Sequence, residues 1–329
     1  MRAFAYQRPD DSASAIQAFR PNAQFLAGGT TLLDLMKLDV MRPDVVIDIN
    51  GVAEAHSDIG VSEKGLRLGA LTRMADAAAH PLIRGDFPVI AQSLELAASP
   101  QLRNMATLGG NVLQRTRCSY FRDPSWQHCN KRNPGSGCAA LDGVNRKHAV
   151  LGVSDHCIAT YPGDFAQALM ALDASLEIAG PDGARTLAFE ALHRQPGDRP
   201  DVETTLKPGE LILAFVVPTG AWTKRSLYLK IRDRQSYEFA LASAAVALEM
   251  RGPTIAQARI ALGGVAAKPW RAREAEAALA GKAASQENFR IAAQAAFADA
   301  QPRAGNRYKI ELGKRTLARA LSQAVEMKV

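Results

Sequence analysis

The chain has 329 residues, 47% of them hydrophobic and 22% charged, and its 40 Lys and Arg against 33 Asp and Glu give a formal net charge of +7. That apolar share excludes a disordered chain, and the length predicts two or three cores instead of one. The basic residues are dispersed and aromatics make up only 6%, so the charge argues against a nucleic-acid partner and for an anionic cofactor or an acidic protein surface.

The opening MRAFAYQRPDDSASAIQAF places Asp10 and Asp11 where an export signal needs an apolar stretch. No apolar run approaches the roughly 20 residues that cross a bilayer, so the expectation is no membrane span and synthesis in the cytoplasm. DSASAIQAF reads as a helix capped by Asp11 or Ser12. AQFLAGGTTLLDLMKLD reads as a strand through Phe25 and Leu26, a Gly28-Gly29 turn, and a helix opening at Thr30 or Thr31. Strands follow at 45–49 and 66–71, helices at 72–79 and 87–98, and TLGGNVLQ at 107–114 reads as a strand broken by glycines. Beyond residue 160, GDFAQALMALDA predicts a helix with Asp164 near its start, ASLEIA a strand, and ELILAFVVP at 210–218 a strand. A turn around Pro218–Thr223 marks a domain boundary. After it come strands in SLYLKIRD, ASAAVALEM and IAQARIALGG, then Ala-rich helices at 271–281, 285–299 and 308–326.

Two glycine turns stand out. Gly28-Gly29-Thr30-Thr31 sits where a strand becomes a helix, so unobstructed N–H groups and two hydroxyls face one point, an arrangement suited to phosphate. Thr107-Leu108-Gly109-Gly110-Asn111 offers a second such approach. Neither is a G-x-G-x-x-G or Walker sequence, so each alone indicates only a phosphate-bearing ligand or a tight connection. All four cysteines, Cys118, Cys129, Cys138 and Cys157, fall in one forty-residue window of irregular, basic sequence. Four soft ligands so gathered suit a tetrahedral metal or an iron–sulfur cluster. Their spacings of ten, eight and eighteen intervening residues match no short ferredoxin signature and do not select iron over zinc. His128 and His156, each preceding a cysteine, read as neighbours of the thiols and not as ligands.

The ordered segments FLAGGTTLLDLMK, SPQLRNMATLGGNVLQ, ATYPGDFAQALMALDA and ALGGVAAKPWRAREAEAAL resemble the FAD-binding medium subunit of the molybdenum hydroxylases, the xanthine dehydrogenase and aldehyde oxidoreductase family, over nearly the whole chain. The resemblance implies an α+β fold. A vanillyl-alcohol-oxidase-type (PCMH-like) FAD-binding domain in two subdomains would span 1–220, with an insert at about 115–160. A small α+β C-terminal domain of the CO dehydrogenase flavoprotein type would span 221–329. It further implies that Leu26, Ala27, Gly28, Gly29, Thr30, Thr31, Leu32, Leu33 and Asp34 form the first pyrophosphate loop of FAD, and Thr107, Gly109, Gly110 and Asn111 the second. By the same resemblance Asp164 would bind ribityl or ribose hydroxyls, Ile212 would pack near the isoalloxazine, and Lys230 would lie near the flavin ring. A cation there favours the reduced, anionic flavin.

The insert is similar to that of a subset related to periplasmic aldehyde oxidoreductases of bacteria, which binds a [4Fe-4S] cluster. This implies Cys118, Cys129, Cys138 and Cys157 as its ligands. Arg115, Arg117, Arg122, Lys131, Arg132, Arg146 and Lys147 would then offset its charge, and Gly135 and Gly137 would let N–H groups reach its sulfurs. The family also implies an electron-transfer role with no catalytic residue in this chain. The partners would be a molybdopterin-containing large subunit and a [2Fe-2S] small subunit in a heterotrimer. Export to the periplasm would occur with a signal-bearing partner, the alternative being a cytoplasmic complex. Two other readings are a stand-alone flavin oxidoreductase and a zinc-stabilised flavoprotein binding module.

Overall fold

In the computed structural model, which describes residues 1–329, three sheets carry the chain. Strands β1 (Ala5–Gln7), β2 (Ala23–Leu26) and β3 (Val45–Asp48) form a parallel sheet in the order β1-β3-β2. Parallel neighbours need crossovers, supplied by helices Ser12–Gln17 and Leu32–Lys37. The first helix starts where the sequence places it: Asp11 accepts a 2.7 Å hydrogen bond from the backbone N–H of Ser14. Val45, Val46 and Ile47 are all buried, as expected of a central parallel strand covered on both faces.

The second sheet is antiparallel. It contains β4 (Ile59–Ser62), β5 (Gly65–Gly69), β6 (Ser175–Gly180), β7 (Gly183–Ala188) and β8 (Leu211–Val217) in the order β4-β5-β8-β6-β7. Helices Met74–Ala79, Pro88–Glu95 and Phe165–Ala171 contribute Met74, Val89, Phe165 and Leu169 to the core against it. The third sheet runs β12-β11-β10-β9, from β9 (Ser226–Ile231), β10 (Ala242–Arg251), β11 (Thr254–Gly263) and β12 (Trp270–Arg271), with β13 (Lys282–Ala283) also paired to β11.

Strand β10 explains how the domains join. Its small residues are buried on both faces: Ala245 and Ala247 enter the core beneath the second sheet, and Ala244, Val246 and Leu248 enter the C-terminal core. The third sheet is therefore a wall shared by two cores. On its outer side, helix Tyr308–Glu326 buries Leu317, Ala320, Leu321 and Ala324, a spacing that lays one apolar stripe on the strands. Each buried Leu contributes about 1.5–3 kcal/mol.

Three readings of local sequence are corrected. Residues 107–114 are not a strand. Leu108–Val112 forms a helical turn capped by Thr107, whose Oγ1 accepts from Gly110 N–H at 3.1 Å; two glycines and a capping threonine favour that turn over a ladder. Trp270 and Arg271 pair with β11 instead of opening the next helix, which spans Arg273–Leu279. The hairpin strand β4 and the edge strand β7 went unread, because both are short and largely solvent-facing, so they carry little alternation.

Candidate functional site

The two glycine turns meet. A Cβ on Gly28 would lie 2.0 Å from the carbonyl oxygen of Met105 and 3.0 Å from Ala106 Cα, so the first loop presses on the backbone that leads into the second. Gly29 has φ +73°, a conformation glycine adopts without strain. The facing loop is anchored to β5's exit, with Gly109 N–H donating to Ala70 O at 2.8 Å.

Between them opens a cleft of about 600 Å³, continuous with solvent. Ala27, Gly28, Gly29, Thr30, Thr31 and Leu32 line one side, Thr107, Gly109 and Gly110 another, and Leu211 and Ile212 of β8 a third. Asn111 does not line the cleft, although its Oδ1 is buried with no hydrogen-bond partner. Donor-rich backbone, two threonine hydroxyls and an apolar strand together fit a diphosphate bearing flat rings. Leu26 and Leu33 do not line the cleft; they pack with Phe4 and Met41 in a small core beneath it.

Asp34, also in the first-loop segment, points elsewhere. Its carboxylate accepts from Arg122 at 2.8 Å and from Arg117 at 3.1 Å, which ties the first helix after the glycine loop to the cysteine insert. Asp164 and Lys230 are brought together but lie off the cleft lining. Lys230 Nζ donates to Asp164 Oδ2 at 2.8 Å and to Leu96 O at 3.0 Å, and Tyr228 Oη donates to Asp164 Oδ1 at 2.6 Å. The paired side chains are 1% and 4% exposed, so they form a buried charge pair between the two domains. Asp164 makes no side-chain cap to the helix it precedes. Burial first, then the neighbouring carboxylate, push the Tyr228 phenol well above its usual range. A second tie runs from Tyr161 Oη to Val112 O, 2.9 Å, at the end of the second glycine turn.

The insert brings its four cysteines into one group. Cys129 and Cys138 pair as an antiparallel bridge, and Cys118 packs against both of their clusters. The Cys157 thiol bonds to Cys138, which holds Cys138 below the usual thiol range and Cys157 above it. Burial pushes Cys118 up to about 11, opposed by N–H groups of Phe121 and Tyr120. The N–H of Ala159 donates to Cys157 Sγ at 3.4 Å. All four are free thiols, and no three His, Cys, Asp or Glu side chains converge as ligands of a single ion do. N–H donors around a soft-sulfur group are what an anionic cluster requires.

The surrounding cations do less for that charge than their number suggests. Arg115 and Lys131 both bind Glu203, at 2.9 and 3.1 Å. Arg146 binds Asp233 at 2.8 Å and Lys147 binds Glu238 at 3.3 Å. These pairs, with Asp34, pin the insert to the body. Arg132 instead donates to the carbonyls of Tyr120 and Phe121, at 2.7 and 2.6 Å. Gly137 N–H goes to Asn130 Oδ1 at 2.8 Å, not to a sulfur, and Gly135 and Gly137 serve the turn through φ of +83° and +96°. His128 binds Ser136 O and His156 is exposed.

Sequence reasoning missed His148, whose Nε2 lies 3.2 Å from Cys118 Sγ. Burial, aided by Lys309, holds its imidazole down at about 4. The one signal for it was its place within the thiol window, ten residues after Cys138.

A family model described as the FAD binding domain in molybdopterin dehydrogenase matches residues 2–220, and one described as the CO dehydrogenase flavoprotein C-terminal domain matches residues 227–324. The chain is 47% identical to the aldehyde oxidoreductase FAD-binding subunit PaoB of Escherichia coli strain K12, covering 98% of this chain and 99% of that one. It is 27% identical to the carbon monoxide dehydrogenase medium chain of Hydrogenophaga pseudoflava, covering 98% and 96%. A solved carbon monoxide dehydrogenase from that organism superposes with a TM-score of 0.76 over 98% of both chains at 27% identity. The vanillyl-alcohol-oxidase-type α+β architecture agrees with these relatives, and the chain belongs to the FAD-binding medium-subunit family of the molybdenum hydroxylases.

Proposed function

We propose that this chain is the electron-transfer subunit of a molybdenum-dependent aldehyde oxidoreductase, carrying FAD in the glycine cleft and a [4Fe-4S] cluster on Cys118, Cys129, Cys138 and Cys157. It would take electrons from a [2Fe-2S] subunit and pass them to an external acceptor, with substrate oxidised on a molybdopterin-containing large subunit. The observation that carries the reading is the gathering of four free thiols in an insert tied to the flavin cleft, in a chain 47% identical to an aldehyde oxidoreductase FAD-binding subunit.

Bound flavin supplies both one- and two-electron exchange, which lets it join single-electron centres to a two-electron acceptor. The chain's own residues bind and orient. Backbone N–H groups of Gly28 and Gly29, with the Thr30 and Thr31 hydroxyls, would meet the diphosphate; Gly109 and Gly110, whose own N–H groups are held by Ala70 O and Thr107 Oγ1, would let it approach closely, and Ile212 would offer an apolar wall to a ring. Asp164 and Lys230, already neutralising each other at 2.8 Å, keep opposite charges buried beside the turn that ends at Val112. The N–H of Ala159, donating to Cys157 Sγ, would stabilise negative charge on sulfur. Zinc would draw all its thiolates to about 2.3 Å of one ion, whereas a cluster would place one thiolate on each iron.

The test is spectroscopic. The chain alone is expected to show flavin and broad iron–sulfur absorbance that dithionite bleaches and an aldehyde does not. Adding the large and [2Fe-2S] subunits is expected to make aldehyde bleach it. Aldehyde bleaching of the chain alone would favour the stand-alone oxidoreductase instead, and a flavin-free chain would overturn both.

A further inference from the structure

The second half of the insert is clamped from the C-terminal domain. Gly305 N–H donates to Asn145 Oδ1 at 3.0 Å, Asn306 Nδ2 to Ala149 O at 2.9 Å, and Tyr308 Oη to Arg146 O at 3.1 Å. Lys309 Nζ donates to Lys147 O at 2.9 Å and to Gly264 O at 2.6 Å. The clamp holds the one residue between these anchors, His148, with its imidazole against Cys118.

Two details of the clamp are unusual. Lys309 is fully buried, yet only carbonyl oxygens meet its ammonium group. Burial first, then the neighbouring Arg146 and Lys147, push its pKa down to about 7, so its hold on the segment rests on these carbonyl hydrogen bonds. His148 is 6% exposed, its Nδ1 has no partner, and its Nε2 faces Cys118 Sγ at 3.2 Å. A ligating thiolate only accepts hydrogen bonds, so the ring nitrogen facing it must carry a proton. His148 thus turns an N–H toward Cys118, and Lys309 holds the adjoining backbone through Lys147 O.

We propose that His148 is a positioning residue that raises the reduction potential of the four-thiolate centre by donating Nε2–H to Cys118 Sγ, with Lys309 fixing the segment that carries it. This rests on the [4Fe-4S] reading above. An electron added to a thiolate-bound cluster increases charge on its sulfurs, so a donor to sulfur stabilises the reduced state more than the oxidised one. One electron enters and the same electron leaves; the proton stays on Nε2 in both states.

The experiment is a potentiometric titration of the full-length, cluster-loaded chain, followed by electron paramagnetic resonance, with iron content measured on every sample. His148→Phe is expected to keep its iron and to shift the reduction equilibrium about tenfold toward the oxidised state, ~59 mV for a one-electron couple. His148→Gln, whose amide N–H can reach the sulfur, is expected to recover much of that shift, and Lys309→Met to move the midpoint in the same direction as His148→Phe. A fully loaded His148→Phe chain with the unaltered midpoint overturns the proposal. Should the Phe ring prevent loading, His148→Leu gives the same reading, with the same outcome deciding. An unaltered chain that holds no iron removes the cluster reading itself, whereas a loaded cluster indifferent to residue 148 removes only the role of His148.

Discussion

At the residue scale, glycine identity at the first loop is set by distance. Gly28 has no room for a methyl group, since the nearest atom to an added Cβ is backbone at 2.0 Å and cannot rotate away. Gly28→Ala must therefore push the two glycine loops apart, at the 1–3 kcal/mol typical of overpacking. The expected result is a flavin-to-protein ratio, or FAD affinity, reduced about tenfold. Gly60→Ala, where nothing lies within 4 Å, is expected to leave flavin content unchanged in the same assay. The first Gly-Gly pair lies at the strand-to-helix junction where the sequence placed it, whereas the second sits in a helical turn and not in the broken strand expected. His148 was not legible, because a lone histidine carries no spacing rule. Its contact with Cys118 follows from the clamp by residues 305–309, more than 150 residues away in sequence. The pairing of Asp164 with Lys230 was equally hidden: each was read separately against a ligand, while burial brings them to each other.

At the element scale, the insert is held as a unit by charge pairs on three sides, to Asp34, to Glu203, and to Asp233 and Glu238. The basic residues expected to offset a cluster's charge act mostly as these pins, because all but Arg132 find a carboxylate on a neighbouring element. Asp34 separates two accounts of its own segment, since it follows the first glycine loop but reaches the insert. Asp34→Asn is expected to leave the flavin ratio unchanged and to speed iron loss to a chelator about fivefold, the equivalent of ~1 kcal/mol for partly exposed pairs. Flavin loss without faster iron loss would place the carboxylate in the cofactor cleft instead. Helix and strand types were mostly readable from periodicity. The Thr107–Gln114 segment was not, because glycines erase the apolar pattern and the deciding feature is a side-chain cap.

At the scale of the whole molecule, the third sheet shares its faces between two cores, so the flavin cleft, the thiol insert and the C-terminal domain form one connected body. The expected domain order rested on motif order and on the turn around Pro218–Thr223. The clamp between insert and C-terminal helix was not, since neither segment is amphipathic toward the other and the contacts run through backbone carbonyls. No helix is long and apolar enough to cross a membrane. The central claim is that this body carries two redox groups, one in the glycine cleft and one on four cysteines. Its most direct test is the content of iron, acid-labile sulfide, zinc and flavin in the anaerobically purified full-length chain. The account predicts about four iron and four sulfide per bound flavin, with iron lost in Cys129→Ser while flavin remains. Stoichiometric zinc without iron, or full flavin with neither metal, would contradict it.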